Sequence, residues 1–167
     1  AVKESAVAAA EVTLDRADQA VIDAILDAYT TSYDAVGNKV DQFINNPLTN
    51  PQLDFQVSDT SWKNAVEGQR PLMEARLSAW QQTNARVTPA DLPAAITIAR
   101  ENLSAVSEFL RDANSAPNAA ITTLSIPQST IDGYVSDVAT ARSSVNAASS
   151  VLTAAVTAQK NAKAALD

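Results

Sequence analysis

Six aspartates, Asp15, Asp18, Asp23, Asp27, Asp34 and Asp41, are strung along the first quarter of the chain, and Asp23 and Asp27 stand four residues apart. On a helix that spacing stacks two carboxylates one turn apart, where they could hold a cation or share a proton. A calcium site needs a loop, a glycine and a denser carboxylate array, so the favoured reading is a solvated acidic helix face. The second candidate set is aromatic. Trp62 and Trp80, with Tyr29, Tyr33 and Tyr134, have the bulk either to line a ligand pocket or to fill a core, and core packing is favoured. Gln69, Gln159 and Arg142 fall on or near apolar stripes. They are candidates for register devices in the core or contacts to another copy, with register or plain exposure preferred. Asn102, Leu103 and Ser104 form a glycosylation sequon, but in a helix interior its use is not expected.

The missing residue types exclude more than the present ones suggest. Among 167 residues there is no cysteine and no histidine, which removes disulfides, thiolate catalysis, Cys/His zinc sites and any triad with an imidazole base. Carboxylate-bridged di-metal bundles use Glu-x-x-His pairs and go the same way. Glycine occurs only at Gly37, Gly68 and Gly133, so neither a Walker A loop nor a G-x-G-x-x-G turn can be written. No catalytic residue, no cofactor or cofactor-binding residue and no metal ligand is expected, and the expectation is a protein that is not an enzyme. With 19 acidic against 12 basic residues, a net charge of -7 and no Lys/Arg cluster, nucleic acid is not an expected partner. No stretch approaches the ~18 consecutive apolar residues of a membrane span, and no basic segment followed by an apolar one opens the chain. It opens on Ala1 and not on Met, which reads as a processed product or an excised piece of something longer.

Alanine supplies about a fifth of the residues, and apolar positions recur at threes and fours, the helical period. The first helix is expected over about residues 3–45. Val7, Leu14, Val21 and Ala28 form one row, Ala10, Ala17 and Ala24 its companion, and Ile25, Tyr29, Val36, Val40 and Phe43 continue the stripe until Asn45, Asn46 and Pro47 end it. A second helix over 59–84 carries Trp62, Val66, Gln69, Met73, Leu77 and Trp80, with a kink or break expected at Gly68 and Pro71. A third over 89–113 carries Leu92, Ile96, Ala99, Leu103, Val106 and Leu110, capped by Thr88 or by Asp91. The last starts from a capping box of Ser129 with Asp132. It then repeats Ile131, Val138, Val145, Leu152 and Leu166 at one heptad position, broken by Gln159, and Tyr134, Ala141, Ala148, Ala155 and Ala162 at the other. Leu53, Phe55 and Val57 alternate with polar residues as an extended segment lying across the bundle, and 114–128 reads as an ordered loop.

The fold class expected is all-α, an antiparallel four-helix bundle whose two long outer helices extend as a two-stranded coiled-coil stalk. At ~1.5 Å per residue the outer helices are roughly 60 Å long and the inner two roughly 38 Å. One helical domain is therefore expected over 1–167, with a stalk pairing about 1–22 with 150–167 and a four-helix head over about 23–149. All eight aromatic residues lie between Tyr29 and Tyr134, within that head. In this register Glu4 and Glu11 would lie near Lys160 and Lys163, pairs that set orientation while adding under about 1 kcal/mol.

The opening AVKESAVAAAEVTLDRAD resembles the Ala-rich, Asp/Lys-bearing helix of the α-hairpin in periplasmic adaptor subunits, the HlyD-type membrane fusion proteins of tripartite efflux and secretion systems. The runs DAYTTSYDAVGNKVDQFINNP (27–47), NPQLDFQVSD (50–59) and QSTIDGYVSDVATARSSVNAASSVLTAA (128–155) are similar to a larger helical insertion in some bacterial members. The resemblance implies a non-catalytic structural and assembly module of a membrane-transport adaptor, its hairpin contacting partner subunits. Other subunits of a transport complex and other copies of itself are the implied partners. It also implies an extracytoplasmic location, anchored through a parent protein, with no direct membrane insertion by this segment. Adaptors that engage a TolC-type channel carry an Arg, Leu and Ser pattern at a tight tip. Here Arg142 is followed by Val145 where Leu is required, so a partner exporter of the ABC type fits better than such a channel. The competing expectation is an extracytoplasmic four-helix ligand-sensing domain of the chemoreceptor type.

Overall fold

The computed structural model describes residues 2–166, with the backbone alone at Val2. The chain is all-α, a bundle of four helices: α1 (Val2–Asp34), α2 (Thr60–Asn84), α3 (Leu92–Asn118) and α4 (Gln128–Ala164). Helix α1 does not run unchanged to residue 45. It widens into a π-helical turn over Ala35–Val40, where the Asp41 N–H reaches back to the Val36 carbonyl, and then tightens into a 3-10 turn over Asp41–Phe43. The wide turn absorbs one extra residue. Ala35, Val36, Val40 and Phe43 are all buried across it.

Between α1 and α2 the chain crosses the end of the bundle, as the alternation of Leu53, Phe55 and Val57 predicts. It does so as short paired strands: β1 (Ile44–Asn45) lies antiparallel to β2 (Gln52–Leu53), and β3 (Gln56–Val57) to β4 (Ala120–Ile121). Asn46 takes the left-handed conformation, φ 51°, that turns the β1–β2 hairpin, a conformation Asn tolerates better than most residues.

Three expected breaks and caps are absent. Helix α2 runs continuously through Gly68 and Pro71; Pro71 is solvent-exposed, so its ring and its missing N–H disturb no packed face. Helix α3 continues past residue 113 to Asn118 with Pro117 in its last turn, which shortens the expected loop to residues 119–127. The Ser129–Asp132 capping box does not form. Helix α4 begins two residues earlier, behind Pro127, and Asp132 accepts a hydrogen bond from Gln128 Nε2 at 2.8 Å. Two caps are present: Asp59 accepts the Ser61 N–H at 2.9 Å, and the Thr88 N–H donates to Asp91 at 3.1 Å just before α3.

One continuous core joins the four helices. Its largest wholly buried side chains include Trp80, Phe43, Phe109, Ile25, Leu92, Leu110 and Leu152. Leu152 belongs to this core together with Val21, Ile25 and Val156, although the sequence placed it in the stalk pairing. Helices α1 and α4 run antiparallel. Gln159 Nε2 donates to Asp18 at 2.8 Å, and at the other end Lys39 and Gln42 both donate to Asp137. Asp18 opposite Gln159 puts Glu11, seven residues earlier, level with Leu166, seven residues later. Lys160 and Lys163 therefore lie opposite residues near 17 and 14, and neither enters a salt bridge among the described residues. Val7 is 51% exposed, Leu14 is half-buried and Val21 is fully buried, so coverage of the α1 stripe grows with distance from its start.

Candidate functional site

The acidic residues singled out by spacing lie along α1 and the turns that follow it. Asp23 takes a hydrogen bond from Gln19, Asp34 takes one from Asn38, and Asp27 stands exposed. Among the described residues no three acidic side chains gather closely enough to hold a metal ion. Asp18 accepts from Gln159 on α4, and Asp41 is put to a further use. Both of its oxygens accept from Arg70, from Nε at 2.6 Å and Nη2 at 2.7 Å, and Arg70 Nη1 donates to Glu74 at 3.1 Å. Arg70 is 2% exposed. Burial disfavours its charge, and the two carboxylates more than reverse that, so the guanidinium is held firmly protonated. The π turn just before Asp41 carries it less far around the axis than an α-helical turn would, and there it meets Arg70 of α2.

Above that fork lies an aromatic group. Tyr29 and Tyr33, one turn apart on α1, have ring centroids 6.2 Å apart and tilted by 36°; Trp80 meets Tyr29 edge-on at 5.6 Å. Trp80 is core, as expected, but Tyr33 is 51% exposed and Tyr29 half-buried. The two tyrosines line a groove of about 340 Å³ between α1 and α2 with Glu74, Ser78 and Gln81. Burial, then the neighbouring Tyr33 and the Glu74 charge, push the Tyr29 hydroxyl above its ordinary pKa. Beneath Tyr33 lies Gly37, where an added Cβ would sit 3.8 Å from the ring, an ordinary contact.

A second polar anchor holds the crossing segment. Tyr134 donates to Asp54 Oδ2 at 2.8 Å, inside a triad of rings in which Tyr134 lies 5.1 Å from Phe43 and 6.1 Å from Phe55. Burial, the Asp54 bond and the Asp54 charge push the Tyr134 hydroxyl up to about 12. Asp54 is itself raised by burial, partly offset by the bonds it accepts, and its Oδ1 is buried without a partner. The Leu53 N–H adds a bond of 2.8 Å to Glu67.

The other sequence candidates resolve as structural. Gln69 ties α2 to α3 through Asp112 at 2.8 Å, and Gln159 ties α4 to α1, so both are register devices; Arg142 is exposed. Asn102 is 7% exposed, with Arg76 donating to it at 3.5 Å, which withdraws the sequon from solvent. Trp62 packs half-buried on the core edge. Arg70, Glu74 and the Asp54–Tyr134 bond escaped the sequence reading. Arg70 carried a signal, since it falls within the α2 stripe Val66, Met73, Leu77, Trp80, and a charge in an apolar stripe demands a buried acid. A larger hollow of about 810 Å³ at the α2–α3 turn, lined by Val87, Ala95 and Ile98 with Arg86 and Asp91, offers less convergent chemistry than the tyrosine groove. No helix among the described residues is long and apolar enough to cross a membrane. Comparison with protein-family models, with curated proteins and with solved structures finds no match.

Proposed function

We propose that this chain is a non-catalytic assembly module of a membrane-transport adaptor, working on the extracytoplasmic side. Its mechanism is geometric: the long α1–α4 pair sets reach, and the opposite end of the bundle offers contact surface to partner subunits. The observation that carries the reading is the antiparallel run of α1 beside α4, anchored by Asp18–Gln159 at one end and Lys39–Asp137 near the other. The crossing segment and the 119–127 loop close the far end, where Leu124 is fully exposed and Leu48 is 65% exposed. The sequence resemblance to HlyD-type adaptors supplies the identity of the partners. A photo-crosslinking residue put in place of Leu124, within the parent protein, tests it in cells. Capture of a transporter or channel subunit supports the reading, and a parent gene encoding membrane spans directly beside this segment in place of β-rich lipoyl halves overturns it.

A second reading, the extracytoplasmic ligand-sensing bundle, has one observation in its favour, the groove lined by Tyr29, Tyr33 and Glu74. The same gene-level test separates the two.

A further inference from the structure

The geometry points to the α1–α2 groove as a binding site for a small organic cation of the quaternary-ammonium type, held between the tyrosine faces and the Glu74 carboxylate. Tyrosine ring faces carry negative electrostatic potential and attract a cation placed within about 6 Å of the centroid, most strongly one that sheds its hydration easily. Tyr29 and Tyr33, with ring centroids 6.2 Å apart and tilted by 36°, both line the groove, and Tyr33 is half in solvent instead of packed away.

Charge selects the sign of the ligand. Arg70, Asp41 and Glu74 together carry one positive and two negative charges. Asp41 satisfies Arg70 with two bonds at 2.6 and 2.7 Å, leaving Glu74 with a single longer bond and a side chain 43% exposed. The net negative charge therefore sits at the groove, where it repels an anion. A bare divalent ion fits poorly, because it wants several oxygen ligands and Glu74 is the only carboxylate lining the groove. The volume of about 340 Å³ suits a ligand of a few heavy atoms. Ser78 and Gln81 remain for a hydroxyl or carbonyl on such a ligand. The inference is independent of the assembly role, since an adaptor hairpin or a sensor would carry the same groove.

Choline, its neutral isostere 3,3-dimethylbutanol and phosphatidylcholine vesicles are the probes, with the full chain observed by Tyr and Trp fluorescence, titration calorimetry and co-sedimentation. Choline is expected to bind, the isostere at least about tenfold more weakly, and Tyr33→Leu to weaken choline by roughly tenfold without moving the melting temperature. Glu74→Gln is expected to weaken choline similarly and to flatten its salt dependence. Choline binding without vesicle binding assigns a free small cation, and binding of both assigns a lipid headgroup. Binding of neither, equal binding of the isostere, or unchanged affinity in Tyr33→Leu overturns the site.

Discussion

At the scale of single residues, the molecule places its few buried charges where two helices must agree. Arg70 is nearly inaccessible, and its partner Asp41 has a side chain only 13% exposed, so the pair is dry and bidentate. Removing one partner of such a pair strands the other, which is costlier than removing both. Arg70→Met is therefore expected to destabilise by about 3 kcal/mol in urea titration, and adding Asp41→Leu to recover most of that loss. A double variant no more stable than the single one would count against the pair as the source. Asp54 gives the opposite kind of prediction. Its folded pKa is raised above the ordinary 3.8 by burial, so the folded state binds a proton that the unfolded state has already released. Its contribution is favourable at low pH and is lost as pH rises from the ordinary carboxylate range through the raised folded value. Asp54→Asn keeps an acceptor for Tyr134 but cannot ionise, so its stability is expected to fall less steeply than the natural chain's over that window. Parallel profiles, measured by thermal melting against pH, would remove Asp54 as the cause.

Among the elements, apolar periodicity in the sequence located all four helices and most core positions, because burial of one face is what makes such helices stable. Every residue of the expected α3 stripe, from Leu92 to Leu110, is buried. What periodicity could not show were irregularities decided by non-local partners. The π turn at Ala35–Val40 immediately precedes Asp41, which pairs with Arg70 on α2, and neither α1 nor α2 alone carries that pairing. Pro71 reads locally as a break, yet the packing of Val66, Met73 and Leu77 on either side holds α2 continuous. The tyrosine groove was half legible: Tyr29 and Tyr33 were visible as an i, i+4 pair, whereas Glu74 arrives only with the α1–α2 register. Leu152 shows where sequence reading drew a line that the core ignores. It is completely buried among residues of the common core, so Leu152→Ala is expected to cost about 2–5 kcal/mol across the whole cooperative unit. The urea midpoint falls while the slope stays constant; a new shallow phase confined to the chain ends would contradict this.

For the molecule as a whole, the decisive feature is a gradient of support along α1. Opposite the α2–α3 turn, Val21, Ala24, Ile25 and Ala28 are buried by neighbouring helices. Further out only α4 accompanies α1, through Ala155, Gln159 and Ala162, and the Asp18–Gln159 bond sets how far that company extends. With Glu11 level with Leu166, residues 3–9 have no described part of α4 beside them, and every one of them is exposed. These first turns extend a helix whose nucleus lies inside the bundle, so with nothing packed on them they fray from the free end at little cost. Hydrogen exchange on the 167-residue chain is therefore expected to show three levels. Amides of 3–9 exchange near unfolded rates, those of 10–18 with 157–164 open locally, and those around 21–28 exchange only by global unfolding. Ala162→Asp sets a carboxylate on the two-helix seam near Asp15. It is expected to strip protection from the middle level alone, leaving the global unfolding free energy from urea titration within about 0.5 kcal/mol of the natural chain's. Loss of protection around 21–28 in that variant would mean that the terminal pair and the four-helix core unfold as one body, and the reach of the α1–α4 pair would then depend on the integrity of the whole bundle.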